Sequence, residues 1–327
     1  MEIFENGVFG VEFYGVVGTI AGGNINREYQ NKINAIIDII AQHPEKRTKE
    51  ELYQLIYSNP ENSKMIGVNT PAIELIHPYE NISIILDAGT GIKNIGDNIL
   101  TTPNLNEIHI FISHTHYDHI IGLTSFFPIF SKGYTIHIYS PFKDIKKRIA
   151  DIFDTRYFPL TFKELSAKIK FHVLNNPIKI NDIEIFYTEN IHPGQSFAYK
   201  FKFEGKSFIY MTDTEIDHRV IKDYIGKNRW FFEDTDLLIF DAMFTFMESS
   251  FSPIGKIGWG HSTSIIGVEI CHEFDIPQLV LFHHEPDNSD STLWKNLLRT
   301  KLYASTQNFK YPNKIMNAVE GDRIVLL

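Results

Sequence analysis

The chain is predicted to be an α/β protein, a four-layer αβ/βα sandwich with a helical insertion, and three observations predict this fold. Short apolar runs typical of buried strands recur at residues 82–86, 108–112, 237–240 and 279–282. Stretches with helical spacing follow strands in both halves of the chain. Residues able to bind a metal come directly after several of the apolar runs, as expected where strand ends meet at one edge of packed sheets.

The first half supplies strands at residues 8–14, 70–76, 82–86, 108–112 and 134–139, followed by a helix at 142–153. A glycine-containing turn at 15–19 allows close approach of the backbone near a site. Between the first two strands, apolar residues recur at helical spacing from Tyr29 to Ile40, and Thr48 with Glu51 forms a capping box. Residues 24–66 are therefore predicted to be a helical hairpin inserted into a single domain of residues 1–327.

The second half is predicted to begin with strands at residues 169–174, 178–187, 196–203 and 207–211. Asn181-Asp182 and Glu204-Gly205 are expected to form hairpin turns. The apolar strands 237–240 and 279–282 are separated by a helix that begins near Ser262.

Composition restricts the classes of function. The net charge of −9 disfavours a general nucleic-acid binder, which usually carries a basic stripe, although it does not exclude a small phosphorylated substrate. The single cysteine, Cys271, excludes an internal disulfide and is expected to be a buried apolar residue. No signal peptide is visible, and no stretch reaches the roughly 18 apolar residues that a membrane span requires. These features favour a cytoplasmic protein without a membrane partner.

Four potential metal ligands lie within six residues in the segment His114-Thr115-His116-Tyr117-Asp118-His119, directly after the strand at 108–112. Alternate residues of such a loop can point the same way, so His114 and His116 are expected to share one ion while Asp118 and His119 reach a second. Imidazole and carboxylate ligands suit zinc, manganese or iron.

This segment resembles the HxHxDH signature of the metallo-β-lactamase superfamily. Later motifs resemble the phosphodiesterase branch of that family, which includes the tRNA 3′ processing nucleases (tRNase Z) and cyclic-phosphate phosphodiesterases. The resemblance covers about residues 13–290 and implies a site with two divalent metal ions, Zn²⁺ first and Mn²⁺ as the alternative. By motif order it implies three further ligands: His192, the bridging carboxylate Asp213, and His283, with His284 as the alternative to His283.

Gly260-His261-Ser262-Thr263 resembles the HST motif of the phosphodiesterase branch, in which the histidine faces the scissile phosphate. Asp241 stands where tRNase Z carries a glutamate that holds this histidine, so the chain departs from the pattern by one methylene. A carboxylate paired with one ring nitrogen raises the basicity of the imidazole and makes it a proton donor. Asp241 is expected to pair with His261, and Asp87 either to orient the metal loop or to cap a turn. Ser262 could cap the following helix, a structural role that is compatible with its place in the motif.

The resemblance implies hydrolysis of a phosphodiester by hydroxide shared between two ions, with Asp118 both as a ligand and as the group that orients the hydroxide. His192 and Asp213 are 21 positions apart, which leaves no room for the long tRNA-clamping arm that tRNase Z usually inserts there. A small phosphodiester, a cyclic nucleotide or another cyclic phosphate, is the predicted substrate. Aromatic residues before the HST motif are either core residues or a stacking surface for a base: Phe244, Phe246, Phe251 and Trp259. Gly255 and Gly258 are expected to let their loop move.

Two other functions remain in view. A tRNA 3′ endonuclease would need its clamp from another element or a partner. A non-catalytic ligand sensor of this fold tends to lose metal ligands, whereas all seven are present here. A homodimer is common in the family, and the insertion at 24–66 is either a lid or a dimer contact.

Overall fold

In the computed structural model, which describes residues 8–22, 25–46, 48–58, 60–175, 177–244 and 258–327, the strands form two sheets of seven. The strands, in chain order, are β1 (Gly10–Gly15), β2 (Ala72–Ile76), β3 (Ile82–Leu86), β4 (Glu107–Phe111), β5 (Thr135–Ser140), β6 (Lys168–Val173), β7 (Ile178–Ile180), β8 (Ile183–Glu189), β9 (Phe197–Phe203), β10 (Lys206–Met211), β11 (Leu237–Asp241), β12 (Gln278–Phe282), β13 (Ile315–Asn317) and β14 (Arg323–Val325).

The first sheet has the order β14-β1-β2-β3-β4-β5-β6, and the second has the order β13-β12-β11-β10-β9-β8-β7. Strands β3 to β6 run parallel in the first sheet, as do β10 to β13 in the second. The remaining pairs are antiparallel, including hairpins at the two turns predicted from the sequence. Each sheet therefore gathers the carboxyl ends of its parallel strands at one edge.

The helices of the described residues are α1 (Ile25–Gln42), α2 (Lys49–Tyr57), α3 (Pro60–Ser63), α4 (Ile92–Thr101), α5 (Tyr117–Ile120), α6 (Ile145–Ile152), α7 (Ile221–Lys227), α8 (Arg229–Phe232), α9 (Ser264–Glu273) and α10 (Asp290–Thr306). Short 3₁₀ turns occur at Ile121–Ser125, Phe127–Phe130, Phe162–Glu164 and Pro312–Lys314. None of the helices in the described ranges is long and apolar enough to cross a lipid bilayer.

Aromatic side chains fill the space between the two sheets. Phe111 of β4 meets Phe201 of β9 with ring centroids 5.3 Å apart, and Phe13 of β1 meets Phe282 of β12 at 6.2 Å. A second apolar cluster lies between the second sheet and its helices, where Ile266 and Ile270 of α9 are buried beside Phe240. Helix, sheet, sheet and helix thus form the four predicted layers, and Cys271 lies fully buried in the second cluster.

Helices α1 to α3 occupy the segment predicted to be helical. The capping box at Thr48 is present: its hydroxyl accepts the N–H of Glu51 at 3.2 Å, and the Glu51 carboxylate accepts the N–H of Thr48 at 3.1 Å. Lys32 of α1 forms an ion pair with Asp290 of α10 at 3.1 Å, which ties the segment to the carboxyl-terminal helix. The assignment of residues 24–66 as an insertion within one domain stays a prediction.

Candidate metal centre

The HTHYDH segment leaves β4 and enters the short helix α5, so its polar side chains lie at the carboxyl edge of the first sheet. His114, Asp118 and His119 are buried, whereas His116 and Tyr117 are exposed. The segment thereby presents ligands from the interior and from the mouth of a cavity of about 500 Å³. That cavity is lined by Thr19, Thr115, His116, Tyr117, Asp118, Asp213 and His261.

One cluster of ligand atoms joins both sheets. It consists of His114, His116, His192 and Asp213, whose nitrogen and oxygen atoms all lie within 4.8 Å of one another. His192 Nε2 is 3.3 Å from His116 Nδ1, and His114 Nε2 is 3.5 Å from Asp213 Oδ2. His114 Nε2 is a buried polar atom without a hydrogen-bond partner, which fits a lone pair directed at a cation.

A second cluster contains Asp118, His119, Asp213 and His283, all of them buried. The Nε2 atoms of His119 and His283 are 3.3 Å apart, and they lie 3.1 Å and 3.3 Å from Asp213 Oδ1. Asp213 therefore turns Oδ1 toward this cluster and Oδ2 toward the first. A carboxylate placed this way can serve one ion with each oxygen.

Hydrogen bonds to the other ring nitrogens fix several of these histidines. The fully buried Asp87 lies 2.8 Å from His119 Nδ1, and its oxygens also accept from the Ser113 N–H, the Ser113 hydroxyl and the Tyr210 hydroxyl at 2.7 to 2.8 Å. His192 Nδ1 lies 3.0 Å from the carbonyl oxygen of Gly260. Such partners set the tautomer of a metal-binding imidazole and hold the ring in place.

Burial and neighbouring charges shift the pKa values of the residues in the two clusters. Burial raises the pKa of Asp213, but the facing imidazoles of His283 and His119 outweigh it and hold the pKa of this carboxyl well below its usual range. Burial lowers the pKa of His114 well below 6.5 and keeps its ring neutral. Carboxylate and imidazole groups together are the ligand chemistry that zinc and manganese accept.

The glycine turn after β1 lies against the second cluster. The Thr19 N–H donates to Asp118 Oδ2 at 2.8 Å, and a Cβ atom on Gly18 would lie 2.4 Å from Cε1 of His283. Only a residue without a side chain lets the backbone pass this close to the imidazole.

His261 and Asp241 form a pair beside the two clusters. His261 Nδ1 lies 2.9 Å from Asp241 Oδ2, and the His261 ring stacks on His283 at 4.9 Å between centroids. Asp241 is fully buried and also accepts the N–H groups of Thr214 and Met243, each at 3.1 Å. Burial lowers the pKa of His261, but the charge of Asp241 outweighs it and raises that pKa to about 9.

Comparison with known proteins identifies the family. The model of the β-lactamase superfamily domain matches residues 83–284, which include every residue of both clusters. The chain belongs to the β-lactamase superfamily.

Ribonuclease Z of Methanococcus maripaludis (strain C7) is 30% identical over 149 residues, which are 42% of this chain and 46% of that relative. The chain thus matches about half the length of this curated relative. YhfI of Bacillus subtilis, a metallo-β-lactamase fold protein, superposes with a TM-score of 0.62 at 15% identity, covering 98% of this chain and 99% of that one. A diphosphatase of the PhnP family gives a TM-score of 0.56 at 14% identity, with 98% of each chain covered. The predicted family and the αβ/βα sandwich are confirmed.

Within this superfamily fold, the two adjacent histidines, His283 and His284, point in different directions. His283 points into the second cluster, whereas His284 Nε2 lies 3.0 Å from the carbonyl oxygen of Ala318, on the far side. Asp87, for which the sequence left two roles open, contacts His119 and the metal loop.

Ser262 does not take the helix-capping role that the sequence left open to it. Helix α9 begins at Ser264 with Thr263 at its N-cap, and Ser262 instead donates to the Thr214 carbonyl and accepts the Ile216 N–H. Its position two residues before the helix places its hydroxyl against the 214–216 segment rather than the helix end.

The four aromatic residues before the HST motif separate into different environments. Phe244 is buried and meets the His261 ring edge-on at 5.5 Å, so it packs as a core residue. Trp259 is 56% exposed. Phe246, Phe251 and Gly255 lie outside the described residues.

Three residues of the site were not expected from the sequence. Thr19 reaches Asp118 through its backbone N–H, Tyr210 reaches Asp87 through its hydroxyl, and Glu215 accepts the N–H groups of Gly258 and Gly260. The contribution of Thr19 comes from its backbone N–H, which residue type does not reveal. Tyr210 lies in an apolar strand, where a tyrosine is ordinarily interpreted as a core residue. Glu215, a carboxylate two positions after Asp213, is the one whose position offered a signal.

Proposed function

We propose that this chain is a metal-dependent phosphodiesterase that hydrolyses a small phosphodiester, a cyclic nucleotide or another cyclic phosphate. The observation that carries the proposal is the His261–Asp241 pair, which lies beside two ligand clusters that share Asp213. The imidazole of His261 lies outside both clusters and next to the cavity, a position that suits protonation of a leaving oxygen. The resemblance of residues 260–263 to the HST motif supports the same assignment.

In this proposal His114, His116, His192 and Asp213 hold one divalent ion, and Asp118, His119, Asp213 and His283 hold the other. Two such ions would supply positive charge at the phosphate oxygens and lower the pKa of a water molecule toward neutrality. Zinc and manganese are both proposed because both accept imidazole and carboxylate ligands. Zinc is the first proposal and manganese the second.

The proton on His261 is the chain's own contribution to bond cleavage. With Nδ1 facing Asp241, Nε2 is the ring nitrogen left to face the cavity that His261 lines. The raised pKa keeps the ring protonated near neutral pH, so it can donate a hydrogen bond and then the proton to the departing alkoxide. The Asp241 carboxylate, 2.9 Å from Nδ1, stabilises the imidazolium before the transfer.

Asp118 is proposed to orient the attacking water. Its Oδ2 accepts the Thr19 N–H, which fixes the carboxylate at the wall of the cavity. Because neighbouring His119 and His283 hold the pKa of Asp118 below its usual range against the effect of burial, the group is an acceptor at neutral pH. An acceptor at this position would align a water molecule for attack opposite the leaving oxygen.

The size of the site favours a small substrate. A cavity of about 500 Å³ falls within the usual range of small-molecule sites, roughly 300–1,000 Å³. Between His192 and Asp213 the chain forms only the β9–β10 hairpin, with Glu204 and Gly205 as its turn. The tRNA-clamping arm is thus missing from this position in the described chain.

A tRNA 3′ endonuclease is the second candidate, favoured by the partial similarity to Ribonuclease Z. Site-specific cleavage of a precursor tRNA, with no turnover of any cyclic nucleotide, would select it. A cytoplasmic location is proposed from the sequence composition, and a homodimer because that state is common in the family.

The deciding experiment is chromatographic analysis of 2′,3′- and 3′,5′-cyclic nucleotides incubated with protein reconstituted with zinc or manganese. Metal-dependent ring opening is expected, and Asp213→Ala should show none and retain no ions. His261→Ala should retain both ions and lose about 10²- to 10⁴-fold in turnover. The matched control is His218→Ala, because His218 also faces a carboxylate, Glu269 at 3.4 Å, but is exposed and outside the site. Full activity of His261→Ala on every phosphodiester would refute the assignment.

A further inference from the structure

The peptide unit at Gly260, directly before His261, is held on two sides. Its N–H donates to Glu215 Oε2 at 2.9 Å, and its carbonyl oxygen lies 3.0 Å from His192 Nδ1. The other oxygen of Glu215 accepts the N–H of Gly258 at 2.7 Å. One carboxylate therefore fastens two backbone groups of the segment that carries His261.

Glu215 is itself anchored to the site. Its backbone N–H donates to the carbonyl of Ile191 at 2.6 Å, next to His192, and it lies two positions after Asp213. The flanking Ile216 N–H donates to the Ser262 hydroxyl at 2.9 Å, which joins the same two segments just beyond His261. The backbone of Glu215 is thus held in place, so that its carboxylate can hold the 258–261 segment.

Gly260 is packed too closely against His192 to carry a side chain. Its φ of +91° lies in a region that glycine favours, and a Cβ there would lie 1.9 Å from His192 Nδ1. Because the peptide is packed against His192 on one face, a displacement of the segment must occur on the face that Glu215 holds. Loss of the carboxylate should therefore release the segment away from His192.

We propose that Glu215 is a positioning residue that fixes His261 for proton donation by clamping the backbone of Gly258 and Gly260. This proposal rests on the proposed function, because it assigns His261 the role of proton donor. Both carboxylate oxygens are engaged by backbone N–H groups, so Glu215 acts through the segment and not on the substrate.

The test compares Glu215→Ala and Glu215→Gln with the control Asp217→Ala. Asp217 and Glu215 both line a second cavity, of about 340 Å³, but the Asp217 carboxylate accepts from Arg219 and not from the 258–261 segment. Turnover is measured on two phosphodiesters, one that releases an alkoxide and one that releases p-nitrophenolate, which needs no proton. Metal content and hydrogen exchange at the Gly260 amide are measured in the same proteins.

Glu215→Ala is expected to lose about 10²-fold on the alkoxide substrate and less than about fivefold on the nitrophenyl ester, since only the first depends on an acid. Exchange at Gly260 should accelerate about tenfold or more while both ions are retained. Glu215→Gln keeps one acceptor oxygen and should recover part of the loss. Added to His261→Ala, Glu215→Ala should cost nothing further, as expected for residues that act as a unit.

Equal losses on the two substrates, loss of the ions, or additive losses in the double variant would each overturn the positioning role while leaving the phosphodiesterase in place. If the wild-type protein hydrolyses neither substrate, the proposed function fails, and the exchange rate at Gly260 still decides whether Glu215 clamps the segment. Unchanged exchange in Glu215→Ala would overturn the clamp itself.

Discussion

A single methyl group placed on Gly18 should disable the second ligand cluster. The Cβ of Gly18→Ala would lie 2.4, 2.5 and 2.9 Å from three atoms of the His283 ring. Ordinary contacts begin at about 3.4 Å, so the ring must retreat by about 1 Å. His283 Nε2 now lies 3.3 Å from both Asp118 and Asp213, and a retreat of that size removes it from the cluster.

The size of the effect follows from this displacement. A ligand misplaced by about 1 Å is expected to weaken ion binding at the second cluster about 10- to 100-fold and to lower turnover by about 10²-fold. The first cluster, built from His114, His116 and His192 with Asp213, should keep its ion. The expected signature is therefore one tight and one weak ion in place of two tight ions.

The assay is a zinc titration of the apoprotein by calorimetry, followed by turnover at saturating zinc. Gly226→Ala is the matched control, because a Cβ on Gly226, within helix α7, meets nothing within 4 Å. Two tight ions and turnover within about twofold of wild type in Gly18→Ala would refute the reasoning, since His283 would then have moved without consequence or would not be a ligand.

Three further predictions concern individual carboxyl groups: those of Asp87, Glu74 and Asp213. Asp87→Ala removes the acceptor of the buried Ser113 N–H and of the buried Tyr210 hydroxyl, at about 1–3 kcal/mol each. A large fall in the denaturant midpoint is therefore expected, with a smaller fall in Asp87→Asn. Glu74 is largely buried, which raises its pKa to about 7. Because its pKa in the folded state exceeds that in the unfolded state, the protonated Glu74 carboxyl group contributes up to about 3 kcal/mol to the free energy of unfolding. This contribution is fully present below about pH 4 and is lost as the pH rises to about 7. Urea unfolding of Glu74→Gln at pH 5 and pH 8 should show that this part of the pH dependence has gone, and an unchanged slope would contradict it. Zinc at about 100 times its dissociation constant should raise the free energy of unfolding of the wild-type protein by about 2.7 kcal/mol, which is measured as a rise in melting temperature. A similar rise for Asp213→Ala would speak against Asp213 as a ligand.

The parallel strands around the site were predictable because their apolar runs are short and each ends in polar residues. The runs at 82–86 and 279–282 match β3 and β12 to within a residue. Helix α4 was not predicted, although Ile92, Ile95, Gly96 and Ile99 bury one face. Its asparagine, glycine and β-branched residues are poor helix formers, so tertiary packing decides the conformation there.

The carboxyl-terminal elements show a different limit. Helix α10 carries a recognisable start, Ser289 with its hydroxyl accepting the Thr292 N–H, yet it was not predicted. Strand β14 has only three residues and pairs with β1 at the opposite end of the chain. Pairing over such a separation depends on the assembled sheet, and three residues carry too little periodicity to indicate it.

The ligand types were predictable from order and spacing, but their directions depend on backbone conformations that residue type does not specify. Asp87, Asp213 and His283 all follow parallel strands, and their φ angles are 57°, 47° and 58°. A left-handed residue costs about 1–2 kcal/mol, and aspartate, asparagine and histidine occupy that region more often than most. The turn redirects each side chain across the sheet edge, so Asp87 reaches His119 while Asp213 and His283 meet between the sheets. At these three residues the local strain lies where side chains from different strands converge, as expected if packing of the two sheets holds the site in place.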